Sequence, residues 1–174
     1  KVSKVLALST DKAVSPLNLY GATKLCSDKL FLSANVIKGN RDIKFSVLRY
    51  GNVMMSRGSV IPTFLKTKGP KFNVTSKDMT RFSLTLDDGV EAAFLALKKM
   101  QGGEIFIPKM KSMKVIDCIK AFLPKAKLNY VGVRPGEKVH EKLIHEETKN
   151  VYDCNESYII LPEFKFWTKK KYSI

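Results

Sequence analysis

Two apolar runs with an amphipathic stretch between them constrain this chain more than any other feature. Val5 to Leu8 is short and apolar, and ends at the polar Ser9-Thr10-Asp11. Pro16 and Asn18 mark a turn. From Leu19 to Ile37, Leu25, Leu30, Phe31 and Ala34 recur at helical spacing, and Gly39-Asn40 stops the helix. Ile43 to Tyr50 has the β-branched and aromatic character of a second strand. A strand, a helix and a strand over about fifty residues make one βαβ unit, whose two strands run parallel.

The texture changes after Gly51. "GNVMMSRGSVIP" reads as a polar, glycine-punctuated loop, followed by a helix from Pro62 to Lys68 and a strand at Phe72 to Thr75. "MTRFSLT" reads as a short strand. Asp87 to Met100 is a helix with acids in its first turn and lysines in its last, which suits the helix dipole. Glu104 to Pro108 forms a strand, Val115 to Phe122 and Lys138 to Ile144 form helices, and a strand runs near Leu128 to Val133. From Glu146 on, only Tyr158 to Leu161 is patterned.

The hydrophobic fraction of 44% fits a globular chain that buries a core, and no run approaches the length of a membrane span. The three cysteines are far apart and odd in number, which excludes a disulfide framework or a zinc set and points to a reducing compartment, the cytoplasm. The net charge of +15 comes nearly all from scattered lysines, which reads as solvated faces. The competing reading is a basic module for nucleic acid or an anionic surface. Phe164, Phe166 and Trp167 beside lysines read as a packed C-terminal segment, and nucleic acid is not the expected partner. "HEKLIH" separates His140 and His145 by five residues, which takes one ligand off the helix face, so no metal is expected.

The chemistry gathers in "LSTDKAVSPLNLYGATK". Ligands of open parallel sheets bind beyond the carboxyl ends of the strands, where Thr10, Asp11 and Lys12 fall. Tyr20 and Lys24 are four apart on the next helix and share one face, about 6 Å along the axis. An ammonium beside a phenol favours the phenolate, which makes tyrosine an acid-base group. The spacing alone is equally compatible with an exposed Tyr/Lys pair.

The longer strings narrow the choice. "YGATK" resembles the Tyr-x-x-x-Lys signature of the short-chain dehydrogenase/reductase superfamily. "STDKAVSPLNLYGATKLCSDKLF", "RYGNVMMSRGSVIPTF", "MTRF", "GGEIFIPKMKSMKV" and "VRPGEKVHE" together resemble the inverting UDP-N-acetylglucosamine 4,6-dehydratases that open pseudaminic acid biosynthesis. The resemblance implies NADP as cofactor and UDP-N-acetylglucosamine as substrate. Tyr20 would take the C4 hydroxyl proton, Lys24 would hold the nicotinamide ribose, and Tyr50 and Asn52 would lie with them beside the cofactor. Asp11 would act as acid on the departing C6 hydroxyl, Lys12 as base at C5, and Thr10 would bond the oxygen at C4. Retaining relatives carry glutamate where this chain has Lys12. Asn52, Ser56, Arg57, Ser59, Val60 and Thr63 would line the UDP-sugar. Arg81 and Arg134 would meet the diphosphate, since a guanidinium fork bonds two phosphate oxygens at once. Glu137 would take the ribose or uracil side. Surface salt bridges for the arginines and turn chemistry for Asn52 are the plain alternatives.

The same resemblance implies an α/β fold: the C-terminal half of a doubly wound, Rossmann-type parallel sheet plus a small α/β substrate-binding domain. Residues 1–52, helix 87–100 and strand 104–108 would belong to the first, and 53–86 and 109–174 to the second. No G-x-G-x-x-G occurs in the 174 residues, although the family needs one to seat the cofactor pyrophosphate. The N-terminal glycine-rich half is therefore expected to be missing, leaving a sheet edge unpaired and the chain alone unable to hold NADP or turn over. Relatives assemble as hexamers or dimers, so a homo-oligomer is expected of the full-length protein. The rivals are a capsule-type UDP-sugar 4,6-dehydratase/epimerase or 4-epimerase, and the basic binding module.

Overall fold

A computed structural model describes residues 1–56, 59, 61–62, 71–164 and 166. The helix expected from Pro62 to Lys68 falls almost wholly outside these residues. The described residues form two compact units, the first within Lys1–Tyr50, Val90–Lys109 and Lys142–Ile174, the second within Gly51–Gly89 and Met110–Glu141.

The first unit is built on the βαβ element. Strands β1 (Lys4–Thr10) and β2 (Lys44–Tyr50) pair in parallel, with Thr10 opposite Tyr50, so both strand tips end together. Helix α1 (Leu19–Ile37) joins them. The sheet continues through β6 (Ile105–Pro108), parallel to β2, then β10 (Ser157–Ile160) and β9 (Val151–Cys154), both antiparallel. Strand β1 lies at the sheet's edge. Leu48, Phe106 and Ile159 from the sheet pack against Ala96 and Met100 at the end of α2 (Leu86–Lys99), forming the core. The tail from Lys142 was expected in the second unit. It falls in the first because the β9–β10 hairpin adds to β6, and Lys109 donates its backbone N–H to Glu156 O at 2.9 Å.

Helix α1 does not bury the periodic leucine face expected of it: Leu30 is exposed. Its buried residues are Gly21, Asp28 and Asn35, seven apart. Asn35 clamps the helix to β2: its amide donates to Phe45 O at 2.8 Å and its Oδ1 accepts from Phe45 N at 3.0 Å. Asp28 Oδ2 accepts from Arg49 Nη2 at 3.0 Å, both side chains nearly sealed from solvent, and Arg49 Nη1 donates to Leu143 O. At the sheet's far end, the fully buried Glu104 carboxylate gathers Ser46 Oγ, Gln101 N and Gly102 N.

The second unit holds two small sheets, β3–β5–β7 (Asn52–Val53, Thr80–Leu84, Lys111–Lys114) and β4–β8 (Lys71–Val74, Lys127–Tyr130), with helix α3 (Val115–Phe122). Strand β8 stops at Tyr130, short of the expected Val133. The expected helix from Lys138 to Ile144 does not form. Thr80 N bonds Val139 O, and the Arg81 guanidinium takes the carbonyls of Lys138 and Val139, which holds this backbone alongside β5. Strand β7 was not expected, because "KSMK" is too polar to read as a strand.

Candidate active site

The tip of β1 turns directly into a single 3₁₀ turn, Asp11–Ala13, capped by Thr10. The cap sets three side chains in one cluster. Thr10 Oγ1 donates to Asp11 Oδ1 at 2.9 Å, and Lys12 Nζ donates to the same oxygen at 3.0 Å. Asp11 is fully buried, and its second oxygen, Oδ2, has no hydrogen-bond partner among the described residues. A buried carboxylate oxygen left bare is costly in a purely structural site.

Helix α1 then brings up the phenol. Asn18 caps it by accepting from Gly21 N at 2.9 Å. Gly21 is required by contact: a Cβ there would lie 2.4 Å from Lys12 O. Only a bare α-carbon lets the first turn of α1 sit against the Lys12 carbonyl, which places Tyr20 and Lys24 beside the Thr10–Asp11–Lys12 turn. Tyr20 is 53% exposed, with its hydroxyl unbonded among the described residues. Lys24 Nζ donates to Leu8 O at 3.1 Å, rather than to the phenol one turn away. Tyr50, at the tip of β2, sits near enough to Tyr20 to feel it. Its hydroxyl is pushed up from its ordinary value, first by burial and then by the Tyr20 charge. The first unit thus brings together Thr10, Asp11, Lys12, Tyr20, Lys24 and Tyr50.

The remaining predicted residues that are described belong to the second unit. Gly51 lies against Phe82, where a Cβ would meet Phe82 O at 2.5 Å, and this close passage starts β3 at Asn52. Asn52 Oδ1 is buried without a partner among the described residues. Asn52, Ser59 and Arg81 line one small cavity of about 50 Å³, with Met54, Met113 and Cys118 as apolar wall. Burial raises the Cys118 thiol above its ordinary value, so it sits there as an apolar group. Arg81 spends three donor contacts on the carbonyls of Thr80, Lys138 and Val139, which makes it a structural tie. Arg134 is exposed. Glu137 Oε2 accepts from Thr75 Oγ1 at 3.1 Å, and its N–H closes a turn onto Arg134 O. Ser56 is exposed. Arg57, Val60 and Thr63 lie outside the described residues. Among the described residues, no cluster of side chains could hold a metal ion.

Sequence reasoning missed Asp28, Arg49 and Asn35, which tie α1 to β2, and Glu104, which ties β2 to the turn before β6. Acids and amides inside an apolar pattern carry no periodic signal.

A mostly parallel sheet whose edge-strand tip carries an acid and an amine at the foot of the following helix defines an α/β protein. The comparisons narrow that class. Residues 1–162 match the family described as "Polysaccharide biosynthesis protein", and the chain belongs to that family. It is 49% identical over 172 residues to the "UDP-N-acetylglucosamine 4,6-dehydratase (inverting)" of Campylobacter jejuni subsp. jejuni serotype O:2, covering 97% of this chain and 52% of that protein. Its fold matches the structure of Pen from Bacillus thuringiensis at a TM-score of 0.86 and 36% identity, over 93% of this chain and 53% of that one. It also matches DesIV, a dTDP-glucose 4,6-dehydratase from Streptomyces venezuelae solved with NAD and TYD, at a TM-score of 0.66 and 18% identity, over 81% and 51% of the two chains. The chain thus spans about half the length of the relatives it matches.

Proposed function

We propose that this chain supplies the acid-base machinery of a sugar-nucleotide 4,6-dehydratase that acts on UDP-N-acetylglucosamine and inverts C5, giving a 4-keto-6-deoxy acetamido sugar nucleotide. The observation that carries this reading is the Asp11–Lys12 contact beside an exposed Tyr20. The Campylobacter relative's name supports the substrate and the inversion.

A nicotinamide dinucleotide, NADP in this reading, supplies reversible hydride acceptance when bound. The residues present fit its nicotinamide end: a phenol with a free hydroxyl and a lysine one turn on. The glycine-rich phosphate cradle is not among these 174 residues.

Tyr20 Oη accepts the proton from the C4 hydroxyl as that carbon is oxidised. The C4 ketone then makes the C5 proton acidic, so oxidation comes first. Elimination needs an acid and a base at once, and one proton shift along the 3.0 Å contact provides both. Moving the proton from Lys12 Nζ to Asp11 leaves a carboxylic acid and a neutral amine. Lys12 Nζ takes the C5 proton, and Asp11 gives its proton to the C6 hydroxyl, which leaves as water. The resulting C5–C6 double bond would take hydride back at C6, and a proton from solvent would reach C5 on the face opposite the one deprotonated. Thr10 donates to the same Oδ1 that Lys12 contacts, which holds the carboxyl in place for that transfer.

Asn52, Ser56, Arg57, Ser59, Val60 and Thr63 are proposed to line the UDP-sugar, Glu137 to take its ribose or uracil, and Arg134 its diphosphate through exposed fork donors. Arg81 has fewer donors left for that anion. The active protein is proposed to be a cytoplasmic homo-oligomer that includes the cofactor-cradling half. The test is product analysis by NMR in heavy water, using this chain joined to that half. The reading expects solvent deuterium at C5 with inverted configuration; retention at C5, or a C4 epimer without deuterium, would refute it.

A further inference from the structure

Three segments of the first unit carry basic side chains to one end of its sheet. Strands β1 and β2 start side by side, with Lys4 opposite Lys44. Lys4 Nζ donates to the carbonyls of Leu97 and Lys98, so the last turn of α2, with Lys98 and Lys99, lies at the same end. Helix α1 also finishes there: Lys38 caps it, and Lys38 Nζ donates to Ile43 O at 2.6 Å. Arg41 N closes the intervening turn onto Lys38 O. Lys1, Arg41, Lys98 and Lys99 are exposed, and Lys4, Lys38 and Lys44 are half-buried.

Acids do little to offset these cations. Residues 1–4, 36–44 and 97–104 hold the seven cations just named and two acids, Asp42 and Glu104. Glu104 is sealed from solvent and spent on Ser46 Oγ, Gln101 N and Gly102 N. The tail adds Glu163, one residue past the Pro162 that packs against Gly103. Among the described residues, none of the seven cations pairs with a carboxylate. Apolar side chains stand in the same segments. Ile37 is 79% exposed, and Val2 and Val36 are exposed as well. All three are aliphatic and offer no ring on which a base could stack. Cations set around exposed aliphatics suit an anionic bilayer, whose head groups attract the charge and whose acyl boundary takes the methyl groups.

We infer that this end of the sheet is a docking face for an anionic phospholipid bilayer. Strands β1 and β2 each run seven residues from it to their tips at Thr10 and Tyr50. That length is about 20 Å. A docked chain therefore presents Asp11, Lys12 and Tyr20 on the side away from the lipid, open to water. The inference does not rest on the reaction proposed for that site.

The test is co-sedimentation with vesicles of phosphatidylcholine, alone or with about 30% phosphatidylserine, at about 0.1 M salt, where charges are screened over about 10 Å. The 174-residue chain, and the chain joined to the cofactor-cradling half, are both expected to bind the anionic vesicles and not the neutral ones. Each basic residue near such a surface contributes about 5-fold, so Arg41→Gln with Lys44→Gln and Lys98→Gln is expected to weaken binding by about 100-fold. The same charge removed from the second unit, by Lys77→Gln with Lys120→Gln and Lys125→Gln, is expected to change it by less than about 3-fold. Ile37→Gln withdraws an aliphatic side chain from the acyl boundary and is expected to weaken binding by about 10-fold. Equal binding to both kinds of vesicle would overturn the proposal. So would an equal loss in the two charge variants, or binding by the chain that the joined protein lacks. Release of the protein from the vesicles by a single-stranded oligonucleotide, with Ile37→Gln silent, would assign this end to nucleic acid and overturn it too.

Discussion

Replacing Gly21 by alanine sets two effects of opposite sign against each other. Alanine is favoured over glycine inside a helix by about 1 kcal/mol. Against that, the new methyl would lie 2.4 Å from Lys12 O and 2.9 Å from Pro16 Cβ. An unstrained contact needs about 1 Å more, and the oxygen belongs to the backbone, so no side chain can swing away. Overpacking of this kind costs about 1 to 3 kcal/mol, and an immovable neighbour puts it at the upper end. The net expectation is a loss of about 2 kcal/mol, which in a chain of this size lowers Tm by about 4 to 8 °C. The shift also moves Tyr20 and Lys24 away from Asp11 and Lys12 by about 1 Å, a displacement that costs on the order of 100-fold in turnover. Calorimetry of the chain and turnover of the joined enzyme read the two effects separately. A Gly21→Ala chain with raised Tm and full turnover would refute the claim that this contact positions the phenol.

Asp28→Ala strands the sealed Arg49 guanidinium and is expected to cost about 3 to 5 kcal/mol in denaturant unfolding, while the pair Asp28→Leu with Arg49→Met recovers most of it. Glu104→Gln turns an acceptor of Ser46 Oγ and two backbone N–H groups into a partial donor, and a loss of about 3 kcal/mol is expected by the same measurement. Thr85 and Asp88 cap α2 reciprocally, and this contact lowers the Asp88 carboxyl below its ordinary value. A lowered acid stabilises above its unfolded value and loses that contribution as pH falls through the folded one, so amides 86–89 should exchange faster below pH about 4 in the wild type, and acid should bring no such increase in Asp88→Asn. Tyr50 is raised, so its contribution is complete below pH about 10 and is lost as pH climbs further; Tyr50→Phe should flatten the alkaline limb of a Tm–pH profile.

The βαβ unit was legible because apolar strands and a turn-bounded helix leave a periodic trace, and the strand-tip and helix-start residues follow from where ligands meet such sheets. The polar stripe of α1 was not legible. Gly21, Asp28 and Asn35 are buried by what they touch: a carbonyl, a guanidinium from β2 and the Phe45 backbone. None of those partners can be read from the helix's own sequence. The segment after Lys138 misled for a related reason. Its residues alternate like a helix, but its carbonyls are claimed by Thr80 and Arg81, nearly sixty residues away in sequence. The hairpin β9–β10 was half seen at Tyr158–Leu161, since "VYDC" is exposed over most of its length and carries no apolar alternation. Most of the bonding of Arg81 serves the backbone, which its motif position does not reveal.

The central claim is that one hydride leaves C4 and comes back at C6 of the same sugar, with Tyr20, Asp11 and Lys12 moving the protons. UDP-N-acetylglucosamine carrying deuterium at C4, turned over by this chain joined to the cofactor-binding half, tests it most directly by NMR of the product. The account predicts that the label appears in the new methyl group; a label retained at C4, as an epimerase would leave it, or lost to solvent would contradict it.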